Sequence, residues 1–211
     1  SDIKNNYFKM DYYNCDGSWE TFCANGAKCA TLFMNMNTQL SEFNFSAGDG
    51  LHKSKVVKNN IFLKMLSPKY QTDAIIVDGF KGRLVNSGAR HFVINIDSIE
   101  ENNIIKHARN IRYSHKIHKE GVNVNFIKRI TNNNIYIWTY EKGIEKIMNS
   151  CGSGAVASAY HISKLYNINK NIECIQIGGK QKIKFDKNWD NVWIESKATL
   201  LYHSNIDTSL L

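Results

Sequence analysis

Proline occurs once in this chain, at Pro68. Beside abundant Lys, Asn and Ile, a single proline reads as a coding bias. It also makes Ser67-Pro68-Lys69-Tyr70-Gln71-Thr72-Asp73 the clearest boundary mark between two strand-rich stretches. No apolar run is long enough to cross a bilayer, and the opening Ser1-Asp2-Ile3-Lys4-Asn5-Asn6 lacks a signal-peptide hydrophobic region. A cytoplasmic location with no membrane partner is therefore expected. The five cysteines, at 15, 23, 29, 151 and 174, include no C-x-x-C pair and are odd in number. That argues against a zinc site and a secreted disulfide scaffold, so reduced thiols are expected. Acidic residues are outnumbered, 19 against 27 Lys and Arg, giving a net charge of +8. The basic residues are scattered, and no helix-turn-helix, zinc-finger or RNA-binding motif accompanies them, so no nucleic-acid partner is expected. His115 and His118 with Glu120 fall in a turn-like stretch that offers no helical face to a metal.

What the chain does contain is enough apolar content, 43%, for one good core or two small ones, and a motif that occurs twice. Cys23-Ala24-Asn25-Gly26-Ala27-Lys28-Cys29-Ala30 has a second version in Cys151-Gly152-Ser153-Gly154-Ala155-Val156-Ala157-Ser158. Each is a cysteine, a small residue, a short polar residue, a glycine and an Ala-rich helical run, which places each cysteine at a helix N-terminus. Unpaired N–H groups and the positive end of the helix dipole favour negative charge there. They would lower the pKa of a thiol and could also hold a carboxylate. Two such thiols facing one another make an acid and a base.

Around these motifs the chain reads as a strand over Phe8 to Tyr13, a turn at Asn14-Cys15-Asp16-Gly17-Ser18, and the first helix, with Ala27, Ala30, Phe33 and Met34 at core spacing. Strands follow around Phe43 and Phe45, from Ser54 to Met65, at Ala74 to Val77, at Gly82 to Val85 and near Phe92 to Ile94. A short helix is expected over Asn102 to Asn110. Gly121 to Ile130 reads as a half-buried strand with Val122, Val124 and Phe126 inward and Asn123 and Asn125 outward. Asn134 to Tyr140 is a further strand. After the helix that follows the second cysteine motif, Gly154 to Tyr166, come strands near Cys174 to Ile177, Lys182 to Phe185, Val192 to Glu195 and Thr199 to Tyr202. The class is α+β, with two lobes that each wrap a mostly antiparallel sheet around one helix.

These motifs resemble the diaminopimelate epimerase family of cofactor-independent amino-acid epimerases. The resemblance is carried by Tyr13-Asn14-Cys15-Asp16-Gly17-Ser18 running to Cys23-Ala24-Asn25-Gly26-Ala27-Lys28-Cys29, Gly88 to Val93 around His91, and Glu120-Gly121-Val122-Asn123-Val124-Asn125-Phe126. Thr139-Tyr140-Glu141-Lys142-Gly143, Cys151-Gly152-Ser153-Gly154 and Gly178-Gly179 continue it nearly to the end of the chain. It implies two pseudo-symmetric lobes with the active site in the cleft between them. Residues 1–70, completed by a C-terminal strand at 198–211, would form one lobe, and residues 71–197 the other. The family's opening Gly-Asn-Asp-Phe signature has no match here, so the first lobe is expected to be incomplete.

The resemblance further implies that Cys23 and Cys151, one as thiolate and one as thiol, invert the α-carbon of LL-diaminopimelate to the meso isomer, in lysine and peptidoglycan precursor synthesis. No cofactor and no metal are implied; the partners are a small-molecule amino acid and, in a homodimer, a second copy. Backbone amides of Ala24, Asn25, Gly152 and Ser153 would face the substrate carboxylate. Asn14, Asn25, Asn123, Glu141 and Lys142 would hold its polar ends, with His91 beside the thiols. The chain departs from the family at Ala24, where Gly is usual, at Ala89-Arg90-His91, where Asn-Pro-His is usual, and at Lys142, where Arg is usual. These changes touch substrate contacts and leave the thiols in place, so a racemase of another amino acid, or an inactive homologue, is the alternative expectation.

Overall fold

The protein was analysed as a computed structural model that describes residues 6–14, 17–98 and 100–204. Tyr7–Lys9 (β1) and the short strands Tyr12–Tyr13 (β2) and Trp19–Glu20 (β3) lead to the helix Ala24–Thr38 (α1). A meander follows: Glu42–Ala47 (β4), Gly50–Val57 (β5) and Asn60–Met65 (β6). The chain then makes Lys69–Tyr70 (β7), Ile75–Val77 (β8), Phe80–Asn86 (β9) and Arg90–Ile96 (β10), and the helix Glu101–Arg112 (α2). Asn123–Arg129 (β11), Asn134–Tyr140 (β12) and Ile147–Met148 (β13) precede the helix Gly152–Tyr166 (α3). Ile172–Gln176 (β14), Gly179–Lys184 (β15) and Val192–Ser196 (β16) complete the described elements.

Among the described residues one hydrogen-bonded path joins both halves of the chain, in the order β1-β4-β5-β6-β16-β15-β14-β12-β11-β10-β9-β7, with β13 on β12 and β8 on β9. Most neighbours are antiparallel; β1–β4, β10–β11 and β12–β14 are parallel. The join is β6 with β16, in register from Met65 opposite Val192 to Ile61 opposite Ser196. β6 has a strand's two faces: Ile61, Leu63 and Met65 are buried, while Asn60, Phe62 and Lys64 between them are half-buried. Thr199 to Tyr202, expected as a strand, form none, and of the expected C-terminal strand residues 205–211 lie outside the described residues, as do Cys15 and Asp16 of the first turn.

Among the described residues two apolar clusters are present. One gathers Ala24 and Ala27 of α1 with Ala155, Val156, Ala159 and Ile162 of α3 and side chains from both halves of the sheet. The other lies under α2, where Ile104, Ala108 and Ile111 meet Phe92, Val124 and Phe126. β11 therefore has helices over both faces, which overturns the half-exposed reading of that strand: Asn125 is fully buried. α1 also departs from expectation. Ala27 and Met34 are buried, but Phe33 is 60% exposed, because the face that packs on β5, β6 and α3 runs through Ala24, Ala27, Lys28, Thr31 and Met34.

Candidate active site

Both helices that start with a cysteine start in the same way. Cys23 caps α1 at φ −132°, ψ 113°, and Cys151 caps α3 at φ −134°, ψ 117°. In each, the sulfur accepts the N–H three residues on, Gly26 or Gly154, at 3.4 Å. The next N–H, of Ala27 or Ala155, bonds the cysteine's own carbonyl. The N–H groups of Ala24 and Asn25, and of Gly152 and Ser153, have no partner among the described residues. The two helix starts also touch: a Cβ on Gly152 would stand 2.6 Å from the Ala24 Cβ, so glycine is required for this approach. Asn25 adds a tie across the seam, its Nδ2 donating to the Ser150 carbonyl at 3.2 Å. Two thiols and four free N–H groups are thus held on two helix ends in contact, an arrangement suited to an anion between them.

Around Cys151 the hydrogen bonds fix the direction of every proton. Asn125 donates through Nδ2 to the Gly154 carbonyl and to Ser158 Oγ, both at 3.0 Å, so its Oδ1 must accept from His91 Nδ1 at 2.8 Å. That leaves His91 Nε2 as an acceptor for the Ser153 hydroxyl at 3.0 Å. Ser153, its proton committed, offers only lone pairs to Cys151 Sγ at 3.5 Å, and so accepts from the thiol. Burial holds His91 neutral by taking its pKa down to about 4, against the opposing bond to Asn125. Burial, followed by the Glu141 carboxylate, pushes the Cys151 thiol up to about 11. The lowered thiol pKa expected from the helix end is thus reversed at Cys151, where desolvation outweighs the Gly154 N–H. Glu141 itself is raised, first by burial and then by Glu20.

The remaining expected contacts divide. Ala24, Asn25, Gly152, Ser153 and His91 gather at the paired helix starts. Asn123 Oδ1 accepts the Lys142 N–H at 2.8 Å, tying the start of β11 to the turn after Glu141. The Lys142 ammonium lies 3.9 Å from Glu120, with both side chains well exposed. Asn14 closes its own turn, with Nδ2 on Ser18 Oγ at 3.1 Å. Residues not singled out from the sequence complete the site. Gln176 accepts the Cys151 N–H at 3.1 Å and donates to its carbonyl, and Gln181 donates to Gln176 and to Ser150 Oγ. On the other side, Phe22 stacks on His52 with centroids 4.3 Å apart, and His52 is paired with Asp49 at 2.7 Å, which anchors the approach to Cys23. Among the described residues no group of three or more His, Cys, Asp or Glu side chains could hold a metal ion.

Comparison with known proteins gives the family and the fold. Residues 83–198 match the family model described as diaminopimelate epimerase. The diaminopimelate epimerase of Flavobacterium psychrophilum is 31% identical over 94% of this chain and 78% of its own length. That of Aquifex aeolicus is 34% identical over 75% of this chain and 59% of its own. Among solved structures, a hydroxyproline epimerase from Agrobacterium vitis has a TM-score of 0.67 at 13% identity, covering 89% of this chain and 67% of that one. A phenazine biosynthesis protein of Enterococcus faecalis has a TM-score of 0.67 at 15% identity, over 93% of this chain and 77% of that one. At such identities these two structures speak for the fold alone.

Proposed function

Since the chain belongs to the diaminopimelate epimerase family, and is therefore an isomerase of the epimerase and racemase type, we propose that Cys23 and Cys151 invert the α-carbon of LL-diaminopimelate to give the meso isomer. One sulfur, as thiolate, takes the α-proton from one face; the other, as thiol, returns a proton to the opposite face. No atom is gained or lost, and the negative charge passes from the first sulfur to the second. Proton exchange with water then restores the starting state. An α-proton between a carboxylate and an ammonium is weakly acidic, so the developing carbanion needs electrostatic support. The N–H groups of Ala24, Asn25, Gly152 and Ser153 are free to supply it at the carboxylate. The lysine and peptidoglycan precursor pathway, with its cytoplasmic setting, belongs to the same proposal.

The observation that carries this reading is the near-identity of the two caps, with matching φ and ψ, matching 3.4 Å N–H contacts and helix starts in contact. Lys142 favours a second reading, epimerisation of a different amino acid. A lysine turned toward Glu120 lacks the planar fork that grips a distal carboxylate with two bonds. The test is incubation of the reduced protein in heavy water with LL-diaminopimelate and a panel of amino acids with one stereocentre, with deuterium and configuration read at Cα. Deuterium together with inversion on diaminopimelate, lost in both Cys23→Ala and Cys151→Ala, is the expected result. Exchange confined to another amino acid moves the substrate; undiminished exchange in either variant sinks the two-thiol mechanism.

A further inference from the structure

Three of the residues expected to hold the substrate's polar ends, Asn123, Glu141 and Lys142, lie on two loops: 118–123, leading from α2 into β11, and 141–146, between β12 and β13. One buried cation is bonded to both. Arg112, the last residue of α2, is only 6% exposed. Its Nη1 donates to the Glu120 carbonyl on the first loop at 3.3 Å, and its Nε and Nη2 meet Glu145 Oε1 on the second at 3.2 and 3.1 Å. The first loop passes directly over the guanidinium. A Cβ on Gly121, whose φ is +71°, would fall on Arg112 Nη1, so glycine is required for this approach.

The second loop closes on the same carboxylate. Glu145 Oε1 accepts the Gly143 N–H at 3.0 Å, and the Glu145 N–H donates to the Glu141 carbonyl at 2.8 Å. The Glu141 N–H donates in turn to the Lys146 carbonyl at 3.1 Å. This turn puts Glu145 at φ 56°, a conformation that suits glycine and is costly for a residue with a side chain. The turn's backbone gives no reason for a glutamate there; the bonds of its carboxylate to Gly143 and Arg112 do. Two further ties join the loops, the Lys142 N–H on Asn123 Oδ1 at 2.8 Å and the Lys142–Glu120 pair at 3.9 Å. The latter is long and exposed, so it adds little. The Arg112–Glu145 pair is the charged tie that burial protects from solvent, and its planar fork is a geometry that a lysine cannot reproduce.

We propose that Arg112 is a positioning residue: through Glu145 and the Glu120 carbonyl it fixes the spacing of the two loops that carry Asn123, Glu141 and Lys142, and so sets how tightly the amino acid's polar ends are held. The inference rests on the proposed assignment of those three residues to the substrate and deepens it. The clamp touches neither cysteine cap, so its effect falls on binding.

The test is steady-state epimerisation of whichever amino acid the protein exchanges, LL-diaminopimelate first, in wild type, Arg112→Lys and Glu145→Gly, with circular dichroism and thermal midpoint as the check on folding. Arg112→Lys keeps the charge and loses the fork, so KM rises about tenfold while kcat stays within about twofold. Glu145→Gly gives the same rise although glycine suits its φ, whereas a role confined to the turn's backbone leaves KM unmoved. Should a single variant not fold, the double variant Arg112→Met with Glu145→Gly, which leaves neither partner's charge unpaired, carries the same expectation. An unmoved KM in a folded variant, or a fall in kcat at constant KM, overturns the assignment. Amide hydrogen exchange of the substrate-free protein, read by mass spectrometry, keeps the two readings apart. Residues 118–123 and 141–146 exchange faster together in the variants, by about tenfold, while 152–158 at the start of α3 do not change. That result in a protein that epimerises no amino acid removes the proposed function only. Unmoved exchange in the two loops overturns the clamp whether or not the protein is active.

Discussion

At Cys151 the neighbours decide the form of the sulfur more than the helix end does. A cap N–H favours a thiolate, but a desolvated, partly buried sulfur facing a carboxylate, with a hydroxyl that can only accept, favours the thiol. The same enclosure gives the protein a pH-dependent stability through its histidines. His91 and His161 are both buried, and burial takes each from 6.5 down to about 4. Between those values the unfolded chain binds protons that the folded chain refuses. Their contribution is therefore complete above pH 6.5 and is lost as pH falls toward 4, roughly 3 kcal/mol for each histidine. Urea denaturation midpoints measured at intervals from pH 7 to pH 4 should fall steeply through this window; a level profile would contradict the neutral, buried assignment of both rings. Neither histidine's burial could be read from its neighbours in sequence. Asn125 shows the same gap: alternation grouped it with Asn123 as outward, whereas α3 covers that side of β11 and makes Asn125 the anchor of the His91 tautomer.

An element is only as well placed as its closest approach, and for α1 and α3 that approach is Ala24 against Gly152. A methyl added at Gly152 would stand 2.6 Å from the Ala24 Cβ and 3.2 Å from Ile194 Cδ1, so the two helix starts would have to separate. Gly152→Ala is therefore expected to lower stability by about 1–3 kcal/mol, as overpacking does. It should lower kcat far more, by about a hundredfold, because the sulfurs and free N–H groups move with their helices. Steady-state epimerisation beside a denaturation curve separates these effects; unchanged kcat would mean that the helix contact does not set the catalytic spacing. The existence of both helices was legible, since capping residue, glycine and Ala-rich run occur twice in order. The inward face of α1 was not. Helical spacing groups Phe33 with Met34 and Ala27, yet Phe33 points out and Lys28 points in. A periodic pattern gives the axis of a helix, and the rotation about that axis is set by what packs on it, here β5, β6 and the start of α3.

For the molecule as a whole, what matters is whether the halves unfold together. The individual strands were largely legible from alternation, but the pairing of β6 with β16 was not, since nothing local in Ile61 to Met65 names a partner more than a hundred residues away. That pairing closes the sheet path at the place where the two helix starts meet, and Ile194 is at the centre of it. It pairs with Leu63 on one side and Ile183 on the other, is fully buried, and reaches toward Gly152. The apolar cluster that contains it takes residues from α1, α3 and both halves of the sheet without interruption. A shared core of this kind couples the halves into one cooperative unit. Ile194→Ala should then cost about 2–5 kcal/mol through lost contact and a residual cavity. It should move a single transition to lower denaturant without splitting it. Trp19 in the first half and Trp138 in the second provide fluorescence probes in single-tryptophan backgrounds. Coincident curves before and after the substitution fit the shared core, whereas two curves that separate would mean that each half holds its own fold and that the seam is only a contact between them.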